Sequence, residues 1–207
     1  MGLATIYAGA ISVLPRVTPI ASLDNEFIGL KVIISGQVMG LREHRDGHLF
    51  LKLRDESGGM INVPIFSELR ADLKEPIELL DVVKVAGRVT VYRGELEVVP
   101  DGAEDLKVIH TAPVGLSNIS EENVGTPVKV HGTIVEYRTS TSGSVILTIE
   151  EGGNKCQVFI PYWVADDGLP KLRVGGNLCV SGWLQLYNNE IELRVVNASH
   201  LHPAEVA

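Results

Sequence analysis

Phe50, Lys52 and Arg54 occupy every second position of Leu49-Phe50-Leu51-Lys52-Leu53-Arg54, with leucines between them. In an extended strand this alternation sends the leucines to one face and the ring and cations to the other. An aromatic ring beside two cations is chemistry suited to single-stranded nucleic acid, because a base lies on the ring while the cations meet the phosphates. The run Met60 to Phe66 repeats the alternation, with Ile61, Val63 and Ile65 inward and Asn62, Pro64 and Phe66 outward. The loop between the first two runs adds Arg42, His44, Arg45 and His48. From Lys31 to Arg54 there are five Lys or Arg against two acids, Glu43 and Asp46, in a chain that is otherwise acidic. Phe50 and Phe66 are therefore candidate stacking platforms, with Asn62 beside them. Lys52, Arg54, Arg42, Arg45 and Arg88 are candidate phosphate contacts. Against this stand Glu95 and Glu97, which lie near Thr90 and Tyr92 across a hairpin and repel phosphates on that side.

The elements that position these residues are strands. Lys31–Met39, Leu49–Arg54, Met60–Phe66, Asp81–Tyr92 and Glu95–Val99 are short alternating or β-branched runs bounded by Gly, Asp, Asn and Pro. Arg93-Gly94 separates the last two by the two residues of a tight hairpin. Leu69, Leu73 and Ile77 follow helical spacing inside Ser67–Leu79, which predicts a helix between the third and fourth strands.

The whole pattern then returns. Gly36, Arg42, Gly47 and Leu51 recur 96 residues later as Gly132, Arg138, Gly143 and Leu147. After one deletion the offset is 95, and Gly87, Tyr92 and Glu95 meet Gly182, Tyr187 and Glu190. A repeat of this length is one small domain rather than a solenoid unit. The second copy predicts strands at Val128–Tyr137, Val145–Ile149, Lys155–Ile160, Asn177–Tyr187 and Glu190–Val196, with Asn188-Asn189 in the hairpin. Pro161–Arg173 contains Pro and Gly, so its helix is expected to be shorter or irregular. The division reads as residues 1–19 an N-terminal arm or stub, 20–110 a first domain and 111–207 a second.

Five strands in this order, a helix after the third, and a glycine in the long first strand (Gly36 or Gly132) fit a small closed barrel. At this point Phe27-Ile28-Gly29-Leu30-Lys31-Val32-Ile33-Ile34-Ser35-Gly36-Gln37-Val38 resembles the opening of the OB-fold family of the anticodon-binding and helicase type. Leu49–Asp55 with Ser57-Gly58, and Val83-Lys84-Val85-Ala86-Gly87-Arg88-Val89, are similar to that family as well. Similar domains occur in class II aspartyl- and lysyl-type tRNA synthetases, exonuclease VII, RecJ-type nucleases and archaeal single-strand binding proteins. The resemblance implies an all-β chain of two tandem five-stranded OB-fold barrels, each with a short helix between strands three and four. It also implies single-strand binding across strands two and three, framed by the loops after strands one and four.

Composition bounds the reading. Eighteen Lys and Arg against 26 Asp and Glu leave a net charge of −8, which opposes tight nonspecific duplex binding. Cys156 and Cys179 sit in apolar strand patterns of the second copy, cannot frame a zinc site, and favour a cytoplasmic setting. No apolar run reaches a membrane span, although the uncharged stretch at residues 1–14 fits a packing arm or the stub of a removed anchor. No nucleophile elbow or phosphate-binding glycine loop appears, and the pairs Asp55-Glu56, Glu150-Glu151 and Asp166-Asp167 read as turn and edge acids. No enzymatic activity, cofactor or metal is expected.

In the second copy Phe50, Lys52 and Arg54 become Ile146, Thr148 and Glu150. Trp183 replaces Arg88, Tyr187 shares its strand face, and Phe159 and Trp163 are near in sequence. Arg194 is expected across from Trp183, within cation–π reach. These four aromatics read as a protein or homo-oligomer interface. The sequence reading is therefore a non-catalytic binder of single-stranded DNA or RNA, of modest affinity, acting through its first barrel. The second barrel is mainly a spacer or protein-docking surface. The rival reading is a protein-only assembly module, and a third is a sensor domain trimmed from a membrane protein.

Overall fold

A computed structural model describes residues 17–166 and 168–204, so the segment 1–14 and Asp167 lie outside the described residues. The first half forms β1 (Lys31–Glu43), β2 (Leu49–Arg54), β3 (Met60–Ile65), α1 (Ser67–Ala71), β4 (Val82–Tyr92), β5 (Glu95–Pro100) and β6 (Leu106–Ile109). The second forms β7 (Pro127–Thr139), β8 (Val145–Glu151), β9 (Asn154–Ile160), α2 (Tyr162–Asp166), β10 (Asn177–Tyr187), β11 (Glu190–Arg194) and β12 (Leu201–Ala204). Strand order β1-β2-β3-β5-β4 with β4 back on β1 closes one barrel, and β7-β8-β9-β11-β10 with β10 on β7 closes the other. Each closure uses one parallel contact, β3 on β5 and β9 on β11.

The long strands β1 and β7 serve both sides of their barrels. Each bends at a bulge, after Val38 and after Ile134. At Gly36 an added Cβ would lie 2.9 Å from the Arg54 carbonyl oxygen, and at Gly132 it would lie 3.0 Å from that of Glu150. The strand crosses its neighbour there too closely for a side chain. The hairpins form as the turn residues require: φ is +53° at Arg93, +85° at Gly94, and +51° and +64° at Asn188 and Asn189. Inward alternation builds a separate aliphatic core in each barrel, with Leu49, Leu51, Leu53, Ile61, Val63 and Ile65 buried in the first and Leu147, Ile149, Val158 and Ile160 in the second.

Three expectations are corrected. A sixth strand joins each sheet, β6 on β4 and β12 on β10. The helix expected over Ser67–Leu79 ends at Ala71, because Asp72 caps it and Pro76 forces Glu75 toward extended backbone. Ile77 and Leu79 still reach buried positions, from an irregular connection. Finally, α2 is as long as α1, not shorter, and it buries Val164 where α1 buries no residue.

The barrels meet at Glu78, in the connection before β4. Its carboxylate accepts a hydrogen bond from the Lys129 ammonium on β7 and lies 3.3 Å from His202 Nε2 on β12. Beside it, the fully buried Asp81 accepts from the Glu78 N–H at 2.8 Å, from the Thr111 N–H at 3.3 Å, and pairs with His110 Nδ1 at 2.9 Å. Burial alone would raise the Glu78 carboxyl, but the Lys129 hydrogen bond and the neighbouring cations outweigh it and hold the carboxyl below its ordinary value. Glu78, Asp81 and His110 bring ligand atoms within 4.8 Å of one another. Their lone pairs are nevertheless committed to Lys129 and to backbone N–H groups, which makes the cluster a joint between barrels.

Candidate nucleic-acid interface

On the outer wall of the first barrel, a transverse row crosses five strands: Gly40, Lys52, Asn62, Glu97 and Thr90 stand opposite one another in register. In the adjoining row Arg42 opposes Phe50, and Phe50 opposes Pro64. All of these but Thr90, together with Phe66, His44, Tyr92, Arg93 and Glu95, line a groove of about 840 Å³. It lies between the β1–β2 hairpin and the β4–β5 hairpin, because both turns project past the same barrel wall.

The groove is aromatic and cationic on one side. The Arg42 guanidinium sits 4.6 Å from the Phe50 ring centroid, so one of its faces carries a cation. His48 meets both candidate platforms edge-on, with its centroid 6.4 Å from Phe50 and 5.5 Å from Phe66. Phe66 is 47% exposed and Tyr92 58%, enough to offer a ring face to a ligand. Arg93 stacks on Tyr92 at 5.3 Å. Arg42, Lys52 and Arg93 form no ion pair among the described residues, so their charges are available to an anion. The opposite side is acidic but occupied: Glu95 accepts from Asn62 Nδ2 at 2.9 Å, and Glu97 from the Thr90 hydroxyl at 3.1 Å.

Phe50, Lys52, Asn62, Phe66 and Arg42 therefore converge, as the alternation of β2 and β3 requires. Three other candidates do not line this groove. Arg54 lies four residues from Phe50, about 13 Å along β2, and lines a separate cleft with Gly36 and Asp55. Arg45 is at the hairpin tip, its side chain 90% exposed and its Nε 3.9 Å from Asp46. Arg88 donates to the Gly29 carbonyl at 2.7 Å and stands opposite Lys31 and Val99. Pro64 points outward as expected yet is buried beneath its neighbours. Tyr92 and Arg93 were legible only as hairpin residues. The clue is that Arg88, Thr90 and Tyr92 alternate outward on a strand whose turn folds over β2.

The cleft beside Arg54, about 1010 Å³, is larger than the aromatic groove. Its equivalent recurs in the second barrel between Gly132 and Glu150. A feature present in both copies and lined by few charges follows from barrel geometry, and the aromatic groove is the one particular to the first copy. Asp55 and Glu151, the edge acids, take structural roles: they accept the backbone N–H groups of Ile20 and Leu116, each at 2.7 Å.

On the second barrel the corresponding row is Glu136, Thr148, Gln157, Glu192 and Gln185. Its polar groups are consumed internally. Thr148 donates to Glu136 at 3.0 Å, and the buried Glu192 accepts from Gln157 Nε2 at 2.9 Å and from Gln185. Trp183 does stand opposite Arg194, but the guanidinium lies over Trp163, 5.5 Å from its ring, not over Trp183. The short α2 delivers Trp163 to that spot, with Tyr162 edge-on at 5.3 Å. Phe159 is Arg194's register neighbour on β9, whereas Tyr187 lies at the far hairpin opposite Glu190. Three of the four aromatics thus lie around Arg194, and Tyr187 stands apart.

Comparison with known proteins agrees with the first barrel's architecture. Residues 32–106, most of this barrel, match the family model described as the OB-fold nucleic acid binding domain. The exodeoxyribonuclease 7 large subunit of Clostridium acetobutylicum is 32% identical over 99 residues, covering 48% of this chain and 23% of that protein. Its counterpart from Neisseria gonorrhoeae is 32% identical over 78 residues, covering 37% and 17%. The chain thus spans less than a quarter of the length of these curated relatives. Among solved structures, a murine DNA-binding protein bound with double-stranded DNA aligns over 84% of this chain and 96% of that one, at 11% identity and a TM-score of 0.44.

Proposed function

We propose that the chain binds single-stranded nucleic acid in the groove of its first barrel and carries out no catalysis of its own. The observation that supports this best is the half-buried Phe50 ring with Arg42 on it and the exposed, unpaired Lys52 beside it, along a groove with the exposed Phe66 and Tyr92 at its edges. Each exposed ring takes one base, worth about 1–3 kcal/mol per stack, while Arg42, Lys52 and Arg93 meet phosphates. The net charge of −8 leaves no broad basic field for a duplex. The name of the matched relatives supports DNA as a ligand, and the 2′-hydroxyl contacts that would select RNA are tested by comparing the two.

The second barrel acts in this reading as a rigid neighbour, fixed through Glu78, whose Phe159–Trp163–Arg194 cluster docks a protein. Fluorescence anisotropy with labelled oligo-dT and oligo-U across a salt series tests the binding claim. Micromolar binding that weakens with salt and falls for the Lys52→Ala/Arg42→Ala double variant is the expected result. Absence of binding at low salt overturns it and leaves the protein-only assembly module, which the aromatic cluster favours.

A further inference from the structure

We infer that the groove of the first barrel selects guanine among the bases of a single strand, with Glu97 as the residue that reads it; this rests on the reading just given. The charges lining the groove come from opposite sides: Arg42 and Lys52 from β1 and β2, Glu95 and Glu97 from β5. Arg93, in the β4–β5 turn, lies over Tyr92. A strand in the groove sets its phosphates toward Arg42 and Lys52 and away from the two carboxylates, which turns its base edges toward β5. The rings that carry the bases are held in place. His48 Nδ1 accepts the N–H of Ser67, the first residue of α1, at 3.0 Å, and its ring braces Phe50 and Phe66. In the second barrel Ser144 caps α2 in the same way, accepting the N–H of Tyr162 at 3.1 Å.

The second barrel shows what a closed carboxylate looks like at this position. Glu192, the equivalent of Glu97, is buried, and each of its oxygens accepts one amide: Oε2 from Gln157 at 2.9 Å and Oε1 from Gln185. In the first barrel the two flanking positions are Asn62 and Thr90, both with shorter side chains. The Thr90 hydroxyl donates to Glu97 Oε1 at 3.1 Å, but Asn62 Nδ2 donates to Glu95 instead, at 2.9 Å. Among the described residues Glu97 Oε2 has no hydrogen-bond partner and Glu97 forms no ion pair, although its side chain is half-buried and lines the groove. A carboxylate only accepts, so its free oxygen selects for donors, and leaving it unmatched on binding costs affinity. Guanine alone among the common bases carries two adjacent donors on its Watson–Crick edge, N1–H and N2–H, which a carboxylate accepts side by side. Thymine and uracil carry one donor between two carbonyl oxygens that a carboxylate repels. Adenine and cytosine place an amino group beside a ring nitrogen that accepts.

Anisotropy titrations of the full chain compare a short labelled oligo-dT with the same strand carrying one central guanine, hypoxanthine, adenine or cytosine. The guanine strand is expected to bind about tenfold tighter than oligo-dT. Hypoxanthine, which keeps N1–H and lacks the 2-amino group, falls between them. Glu97→Gln removes the guanine preference while oligo-dT binding stays at or above its wild-type level, a split that a purely structural glutamate does not give. The Asn62→Gln/Thr90→Gln double variant installs the second barrel's amides, saturates the carboxylate and removes the preference with Glu97 still in place. Guanine bound no tighter than the other bases, or an undiminished preference in either variant, overturns the inference while leaving the groove reading intact. No binding of any strand at low salt overturns both.

Discussion

The two barrels share a backbone and differ in what their outer walls do with polar side chains. In the first, the row through Lys52, Asn62 and Glu97 leaves the lysine unpaired beside an exposed aromatic groove. In the second, the row through Thr148, Gln157 and Glu192 closes on itself in hydrogen bonds and buries a carboxylate without any cation. A wall whose donors and acceptors satisfy one another has little left for a ligand. A wall with unsatisfied charges keeps its affinity for an outside partner. The cap position shows the same divergence, with a serine in one copy and an aromatic histidine that braces two phenylalanines in the other.

The comparison can be broken most forcefully with acid. In the second barrel His200 is 1% exposed and neither ring nitrogen has a hydrogen-bond partner. Burial first, then the His202 charge, pulls it down to about 4. Because the folded state refuses a proton that the unfolded chain accepts, stability is lost as pH falls from about 6.5 to 4, by at most roughly 3 kcal/mol. The equivalent position in the first barrel is Asp105, ion-paired with Lys31. Urea unfolding at pH values across that range should show the second barrel failing first, and His200→Leu should flatten its pH dependence. Equal acid sensitivity of both barrels would remove the distinction.

Next in size is the joint. Glu78→Gln leaves the nearly buried Lys129 without its partner and should cost about 2 kcal/mol. Acid acts on the same contact with a defined sign: the carboxyl is depressed, so its stabilisation is present above the ordinary glutamate value and lost as pH falls below it. Small-angle scattering should report a wider spread of inter-barrel distances in the variant.

Phe50→Ala should then weaken oligonucleotide binding about tenfold through loss of one stack, while Ile146→Ala at the matching position changes nothing measurable. Smallest is the lysine. Lys52→Thr, which installs the second barrel's residue, should lose about fivefold and lower the salt slope by about 0.7. The reverse change Thr148→Lys should gain no affinity, because the new ammonium pairs with Glu136 on the adjacent strand. A gain there would show that the second wall is less self-contained than its hydrogen bonds indicate.

Most of the fold was legible because strand alternation and turn chemistry are local. Leu49, Leu51 and Leu53 had to face inward together, and Arg93-Gly94 and Asn188-Asn189 had to turn. The helix over-reached for a comparable reason: Leu69, Leu73 and Ile77 do all pack inward, but periodicity cannot tell a helix from a connection that buries the same side chains. The two sixth strands were missed because Leu106–Ile109 and Leu201–Ala204 are four-residue runs that owe their conformation to β4 and β10. In the site, Phe50, Lys52, Asn62 and Phe66 were legible from two strands and one register. Arg54 was on the right face and at the wrong end, a distinction that alternation cannot make.

What the sequence determined by itself is a duplicated barrel whose first copy carries an outward ring and cations on its second strand, where the second copy carries Ile146, Thr148 and Glu150. Side-chain parity along a strand and self-similarity along the chain are local properties, and neither needs coordinates. Tertiary structure decided which of those residues meet. Barrel closure and the two hairpins folded over β2 and β3 gather Arg42, Tyr92 and Arg93 around Phe50, and leave Arg88 bound to the Gly29 carbonyl. A five-residue helix, and not strand register, decides that Arg194 lies on Trp163. The Glu78 joint to Lys129 and His202 likewise exists only once two barrels are docked, because a contact between side chains distant in sequence is set by where the backbone carries them.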